Sequence, residues 1–307
     1  MRLIRCEDLK LVNFWDPPPF AILSHTWGDD EITYQDMLKL DPQTDKRYGF
    51  DKILHAAILA EEHGLKYVWV DTCCIDKTSS AELSEAINSM YKWYQQAEIC
   101  FVFLSDVASP RNAIPVGSGS QSERQQHIRS LFDKCRWITR GWTLQELVAP
   151  AKILFYDNEF NCFASKQDSK DALSQVTGIN IEVLESGDAS GASIAQRMRW
   201  AAYHETTRKE DLAYCLMGLF DVHMPLLYGE GDRAFLRLQE EILKSSDDHS
   251  LFAWTLPLYG RKAYEETYCG LLARHPANFQ RQRWASARAH APRPAQVYED
   301  QSTTVTN

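Results

Sequence analysis

The chain has 307 residues, of which 44% are hydrophobic and 24% charged, a composition typical of a globular protein with a sizeable core. Its formal net charge of −9 argues against nucleic acid or an anionic membrane as a partner, because both attract dense fields of Lys and Arg. The longest strongly apolar stretch, residues 212–220, is far shorter than the roughly 20 residues of a membrane span. Charged residues interrupt any apolar run at the start of the sequence, which therefore shows no secretory signal. We expect a cytoplasmic chain without a membrane span.

Four short apolar runs in the first half of the chain predict buried strands. They occupy residues 20–24, 67–71, 99–104 and 153–156. Apolar residues at helical spacing predict helices over residues 51–63 and 142–148, and a capping box of Ser79 and Glu82 predicts the start of another. Strands that alternate with helices indicate an α/β fold, in which a parallel sheet is flanked by helices.

The remainder of the chain differs in composition and in the spacing of its apolar residues. Residues 108–122 are rich in Ser, Gly and Pro, which predicts a flexible surface insertion. From about residue 166 the apolar spacing is helical, and residues 280–307 are polar and without periodicity. We therefore expect an α/β domain over residues 1–165, a mainly helical extension packed on it over residues 166–279, and a disordered tail over residues 280–307.

The eight cysteines are scattered along the sequence and form no zinc-binding pattern. Cys73 and Cys74 are adjacent, but no second pair exists to complete a four-ligand site, so we expect no metal. Several cysteines lie inside apolar runs, where a thiol acts as a small buried apolar group. This usage favours a reducing compartment.

Ligands of open parallel sheets bind beyond the carboxyl ends of the strands. Polar, aromatic and small residues follow three of the predicted strands at that edge. They are Ser24, His25, Thr26, Trp27, Gly28 and Asp29, then Asp71, Thr72, Cys73, Cys74, Asp76 and Lys77, then Ser105 and Asp106. Loops at strand ends are generally polar, so position alone does not distinguish a binding site from an ordinary surface.

Three longer blocks carry a family resemblance. Residues 21–28 read Ala-Ile-Leu-Ser-His-Thr-Trp-Gly, residues 70–77 read Val-Asp-Thr-Cys-Cys-Ile-Asp-Lys, and residues 140–147 read Arg-Gly-Trp-Thr-Leu-Gln-Glu-Leu. In this order they resemble the signature blocks of the fungal heterokaryon incompatibility (HET) domain family, and residues 208–219 and 228–231 resemble the segment that commonly follows it. The resemblance implies an effector of nonself recognition and programmed cell death. It also implies self-association and, as candidate partners, an upstream NLR-type receptor or an allelic incompatibility protein.

HET domains are also remotely similar to TIR domains, innate-immunity modules of which many cleave NAD⁺. The segment Trp142-Thr-Leu-Gln-Glu146-Leu is similar to the Trp-Cys-x-x-Glu-Leu context of the catalytic TIR glutamate, with Thr143 in place of Cys. This similarity implies a TIR-like, flavodoxin-like sheet, NAD⁺ as a substrate rather than a cofactor, and Glu146 as the catalytic residue. Under this hypothesis, the residues expected to bind the substrate are Ser24, His25, Trp27, Gly28, Asp71, Cys73 and Trp142, with Trp27 or Trp142 stacking on a ring and Ser24, His25 and Asp71 lining the pocket.

Other interpretations remain open at this point. The same edge residues fit a non-enzymatic module that oligomerises and signals through partners. Glu146 could be a solvated helix residue, Trp142 a packing residue and His25 a structural histidine. Residues 229–234, Gly-Glu-Gly-Asp-Arg-Ala, formally fit a dinucleotide-binding fingerprint, but no convincing strand precedes them, and Asp232 as a helix N-cap is the better interpretation.

Overall fold

Four parallel strands, buried almost throughout, form the centre of the sheet in a computed structural model that describes residues 1–39, 45, 47–108, 121–255 and 270–280. In order across the sheet they are β4 (Tyr67–Val70), β3 (Ala21–His25), β5 (Ile99–Phe103) and β6 (Ile153–Tyr156). Ala21 of β3 pairs with Val68 on one side and Ile99 on the other. Strands covered on both faces need continuous apolar sequence, and each of the four was predicted to within one residue at either end.

Three further strands extend the sheet at its edges and were not predicted. They are β1 (Arg2–Arg5), β2 (Leu11–Asn13) and β7 (Cys162–Ser165). The full order is β2-β1-β4-β3-β5-β6-β7, in which β1, β2 and β7 run antiparallel to their neighbours. The prediction of a parallel sheet therefore holds for the centre only. The loops of the β1–β2 and β6–β7 hairpins are too short for a parallel crossover, and β1 also lies antiparallel to β4.

The order of the central strands determines where a ligand can bind. Numbered along the chain, the four parallel strands lie in the order 2-1-3-4, as in the flavodoxin-like arrangement. The chain runs from β3 to β4 on one side and then from β4 to β5 on the other side of β3, so β3 and β5 flank a topological switch point. The α/β fold class is confirmed, and its expected binding edge is the carboxyl end of β3.

Helices flank this sheet along the whole described chain. They are α1 (Tyr34–Met37), α2 (Tyr48–Glu62), α3 (Asp71–Cys74), α4 (Ser80–Gln96), α5 (Gln121–Phe132), α6 (Thr143–Val148), α7 (Lys166–Thr177), α8 (Ile181–Ser186), α9 (Ile194–Trp200), α10 (Asp211–Tyr214) and α11 (Arg233–Ser245). Helix α2 ends before Gly64, whose φ of 75° suits glycine. At α4, Ser79 accepts a hydrogen bond from the Glu82 N–H, but the Glu82 carboxylate binds Arg2 and the Asp76 N–H instead. The capping box is thus only half formed.

The later helices share one hydrophobic core with the sheet. Gly218, in a short 3₁₀ helix, packs directly against Tyr91 of α4. The buried Lys166 at the start of α7 donates hydrogen bonds to the carbonyls of Val148 and Pro150.

A domain boundary at residue 165 stays a prediction. Most of the predicted insertion, residues 109–120, and the predicted tail after residue 280 lie outside the described residues. Within the described chain, no helix combines the length and apolar character needed to cross a membrane.

Candidate functional site

Ser24 and Glu146 form a buried hydrogen-bonded pair at the carboxyl end of β3. The Ser24 hydroxyl donates to Glu146 Oε2, and the Trp137 indole Nε1 donates to Ser24 Oγ at 2.7 Å. An indole N–H can only donate, so the serine oxygen accepts there and its own proton is directed at the carboxyl group. Residues 122 apart in the chain thus meet at the predicted edge of the sheet.

The environment of Glu146 favours its protonated form. Glu146 is only 8% exposed, and burial raises the pKa of its carboxyl group to about 8. The hydrogen bond from Ser24 opposes that rise, the negative charge of Asp71 adds to it, and Arg140 and the Tyr94 hydroxyl oppose it. A carboxyl group with this pKa holds its proton in most molecules at pH 7. The interpretation of Glu146 as a solvated surface residue is therefore wrong.

Helix α6, which carries Glu146, is held at both ends. At its start, the Thr143 hydroxyl donates to the Arg140 carbonyl at 2.8 Å, and the Gly141 N–H donates to the Glu205 carbonyl at 2.9 Å. At its end, Lys166 Nζ donates to the Pro150 carbonyl at 2.8 Å, where a positive charge suits the helix dipole. A helix of only six residues gains little from its own hydrogen bonds, so these contacts fix its position.

His25, the last residue of β3, lies between two carboxylates. Its Nε2 is 3.4 Å from Glu31 Oε2, and its Nδ1 is 4.0 Å from Asp71 Oδ1. Glu31 also pairs with the Lys52 ammonium and accepts the Gly28 N–H at 2.7 Å. Burial alone would raise the pKa of Glu31, but His25, Lys52 and the Gly28 N–H outweigh it and lower that pKa to about 2. A carboxylate is thus held ionised beside His25.

The outer part of this edge is formed by Trp27, Asp71 and Lys77. The Trp27 indole Nε1 donates to Asp71 Oδ2 at 2.8 Å, and the Lys77 ammonium lies 3.6 Å from the centre of the Trp27 ring system. Trp27 is 45% exposed, whereas Ser24 and His25 are buried. Charged and aromatic groups therefore extend from the surface towards the buried Ser24–Glu146 pair.

The part of the chain that forms this edge of the sheet is similar to known proteins. Residues 20–146 match the family described as Heterokaryon incompatibility protein (HET). The chain is also 40% identical over 278 residues to the Vegetative incompatibility protein HET-E-1 of Podospora anserina. The segment of residues 20–146 belongs to the HET family. This HET segment begins one residue before β3 and ends at Glu146.

The match to HET-E-1 covers 87% of this chain and 20% of that protein, so the chain spans about a fifth of the length of the curated relative it matches. Residues 233–305, beyond the HET segment, match a domain of unknown function, DUF8212. No solved structure matches the chain.

Within the HET segment, the structure brings six of the eight predicted site residues to one edge. They are Ser24, His25, Trp27, Gly28, Asp71 and Glu146. Cys73 is not among them, because the single turn of α3 directs its thiol into the core, where burial raises its pKa well above the usual value. Trp142 is half-buried at the start of α6 and lies beside Asp211 of the later helices. Its side chain hydrogen-bonds the Asp211 carboxyl group, and its role in substrate binding stays a prediction.

Sequence reasoning missed several residues that lie around the predicted site residues at this edge. They are Glu31, Lys52, Tyr94 and Trp137. Trp137 lies shortly before the third signature block, where a tryptophan so near Glu146 could have been a signal. Tyr94 lies on the buried face of α4, but nothing in the sequence links it to Glu146, and nothing pairs Glu31 with His25.

The glycines that resemble a dinucleotide fingerprint have another partner. Glu210 accepts the N–H groups of Gly229 and Gly231 at 2.8 and 2.9 Å, where a bound pyrophosphate would otherwise sit. Asp232 occupies the N-cap position of α11, as predicted, but makes no capping hydrogen bond with its side chain. Its carboxylate lies 3.3 Å from the Lys209 ammonium instead.

Six of the seven described cysteines are buried, and all seven are free thiols. This confirms, for those six, the prediction that they act as small apolar groups.

Proposed function

We propose that this chain is an effector of nonself recognition and programmed cell death in fungal heterokaryon incompatibility, and that it acts by TIR-like cleavage of NAD⁺. Its HET segment and its 40% identity to a vegetative incompatibility protein support the first part. The position and state of Glu146 support the second. Self-association in the cytoplasm, triggered by an NLR-type receptor or an allelic partner, completes the proposal.

The observation that carries the enzymatic proposal is a carboxyl group buried at the ligand-binding edge of a parallel sheet. Glu146 lies against Ser24 at the end of β3, beside the switch point between β3 and β5. Acids whose pKa is shifted this far by burial are concentrated at functional sites. The same edge presents the half-exposed Trp27 ring and the Asp71 carboxylate, which suit a flat cationic ligand.

The chemistry asks little more than one well-placed carboxylate. In hydrolysis, water replaces nicotinamide on the ribose carbon of NAD⁺, which gives ADP-ribose, nicotinamide and a proton. The ribose develops positive charge in an oxocarbenium-like transition state, as in glycoside hydrolysis. Nicotinamide leaves as a neutral molecule and needs no general acid. An ionised Glu146 in a site shielded from water would stabilise that charge more than a solvated carboxylate could.

Glu146 must therefore lose its proton when the substrate binds. A pKa of about 8 leaves the carboxyl group mostly protonated in the free protein at pH 7. The positive charge of the nicotinamide ring would favour the ionised form, since an opposite charge nearby lowers the pKa of an acid. Ser24 remains as a donor to the carboxylate formed in this way.

The direct test is release of nicotinamide from NAD⁺ by the purified full chain, at low and high protein concentration and with a crowding agent. We expect release by the wild type and its loss in Glu146→Gln, which keeps the shape of the side chain. Glu85→Gln is the matched control, because Glu85 is exposed on α4 and should leave activity unchanged. Intact NAD⁺ under every assembly condition would contradict the enzymatic proposal.

One observation favours a second candidate, a non-enzymatic module that oligomerises and signals through partners. Trp15 is fully exposed and most of Tyr203 is exposed, and aromatic residues are enriched at protein interfaces. In this case the Ser24–Glu146 pair would serve only to join β3 to α6. Toxicity in fungal cells separates the two: Glu146→Gln should abolish it if cleavage is the signal, and should leave it intact if assembly is.

A further inference from the structure

Lys77 occupies a position where another cation could bind. Its ammonium lies 3.6 Å from the centre of the Trp27 ring system, well inside the roughly 6 Å range of a cation–π contact. Lys77 follows α3 in the loop before α4, and its residue is exposed. The contact is made by the far end of a long side chain, where burial lowers the pKa of the ammonium although the residue as a whole is exposed.

Asp71 gives the same position a negative charge. Its carboxylate accepts the Trp27 indole N–H at 2.8 Å, which orients the ring. Burial of the ammonium lowers the pKa of Lys77, and the negative charge of Asp71 opposes that lowering. An aromatic face beside a carboxylate is the arrangement that recognises organic cations. His25 and the Glu31–Lys52 ion pair lie on the inner side of Asp71, so the Trp27 face is on the solvent side of the site.

We propose that the Trp27 face and the Asp71 carboxylate bind the positively charged nicotinamide ring of NAD⁺, and that Lys77 occupies this place in the free protein and leaves when the ring enters. The proposal rests on the function proposed above and names the subsite at which the ring is recognised. It makes Lys77 an internal competitor of the substrate. It also gives a reason for selectivity, since the reduced nicotinamide of NADH carries no charge and would not replace the Lys77 ammonium.

Displacement of Lys77 leaves no buried charge without a partner. Lys77 is exposed as a residue, but burial of its ammonium end lowers the pKa of Lys77 in the free protein, so leaving Trp27 returns that charge to water while the incoming ring takes over the contacts with Trp27 and Asp71. Removing the ammonium should therefore strengthen binding of a cationic ring by about 2- to 5-fold, the effect of one exposed cation–π contact. A guanidinium at position 77 should keep the ring covered, because arginine stacks on aromatic faces.

Binding of 1-methylnicotinamide, a stable cation that cannot be hydrolysed like NAD⁺, tests this without any need for catalysis. Calorimetric or NMR titration of the full chain should show tighter binding to Lys77→Met than to the wild type, and no gain for Lys77→Arg. Trp27→Leu should lose most of the binding and Asp71→Asn should weaken it. Neutral nicotinamide should show no gain with Lys77→Met.

A matched control separates local from general charge effects. Lys10→Met removes one positive charge from an exposed side chain away from this edge and should leave binding unchanged. Equal or weaker binding of 1-methylnicotinamide by Lys77→Met would overturn the proposal, as would an equal gain with Lys10→Met. The binding measurement does not depend on turnover. Tighter binding by Lys77→Met with no nicotinamide release from NAD⁺ would contradict the proposed enzymatic function but support the proposed subsite.

Discussion

Burial of the Glu146 carboxyl group makes the stability of the fold depend on pH. Its pKa rises from 4.5 to about 8 on burial, so between these values the folded state keeps a proton that the unfolded state has released. The free energy of unfolding should then fall as pH rises from about 4.5 to about 8 and level off above that. The contribution is of the order of a few kcal/mol, at about 1.4 kcal/mol per pKa unit.

Urea denaturation of the wild type and Glu146→Gln at pH 5, 6.5 and 8 measures this effect. Glutamine cannot ionise, so we expect the variant to gain stability relative to the wild type at each step upward in pH. Glu85→Gln should follow the wild type throughout. Parallel curves for the wild type and Glu146→Gln would mean that the carboxyl group is ionised in the folded protein at all three pH values.

At the scale of single residues, the sequence predicted the location of the site better than its contacts. Ser24 and Asp71 could be placed at one edge because parallel strands end on the same side of a sheet, whereas Glu146 was assigned to the site through the similarity to TIR domains. The partners Trp137 and Glu31 could not, since their pairing depends on how loops fold back in space. Cys73 was misplaced relative to Asp71 because nothing in the sequence indicated the single turn that buries its thiol.

At the scale of elements, the start of α6 depends on a close approach that glycine permits. A Cβ on Gly141 would lie 2.4 Å from Thr206 Cγ2 and 3.1 Å from Cys215 Sγ. Gly141→Ala should therefore destabilise the fold by about 1–3 kcal/mol, as overpacking of a core does. Thr206→Ser removes the methyl group in closest contact and should restore part of that loss in the double variant.

Thermal or urea unfolding of the two single variants and the double variant gives the coupling between the sites. Gly191→Ala is the control, because a Cβ there meets nothing within 4 Å. If the two changes were additive, α6 and the segment after Glu205 would not be in the contact described.

The elements themselves divide clearly into predictable and unpredictable ones. Continuous apolar runs identified β3, β4, β5 and β6, because strands covered on both faces need such runs. The short edge strands escaped detection: β1 has a charged residue at each end, β2 is only three residues long, and β7 is only partly buried. The single-turn helices α1 and α3 are too short to show any periodicity.

At the scale of the whole molecule, the later helices complete the part of the chain that carries the HET signature. Without residues 166–280, the Gly141 N–H and the Thr139 carbonyl would lose their partners on Glu205, and Tyr91 would lose its contact with Gly218. The carbonyls of Val148 and Pro150 would lose Lys166. We expect a chain of residues 1–165 to lack a cooperative thermal transition and fixed near-ultraviolet circular dichroism, both of which the full chain should show.

A melting temperature for residues 1–165 equal to that of the full chain would contradict this expectation. It would mean that the shared core is divisible and that the boundary predicted at residue 165 separates two independent folding units. The net charge and the composition do not distinguish one folding unit from two, because they describe the chain as a whole and not its packing.

The most direct test of Glu146 as the catalytic group is the pH dependence of nicotinamide release from NAD⁺. Because the ionised carboxylate is the active form, kcat/KM should rise with pH and level off above an apparent pKa of about 8. Glu146→Gln should lower kcat/KM by at least about 100-fold across the range, a loss typical of removing one electrostatic contact to a transition state. Undiminished release by Glu146→Gln would contradict the account.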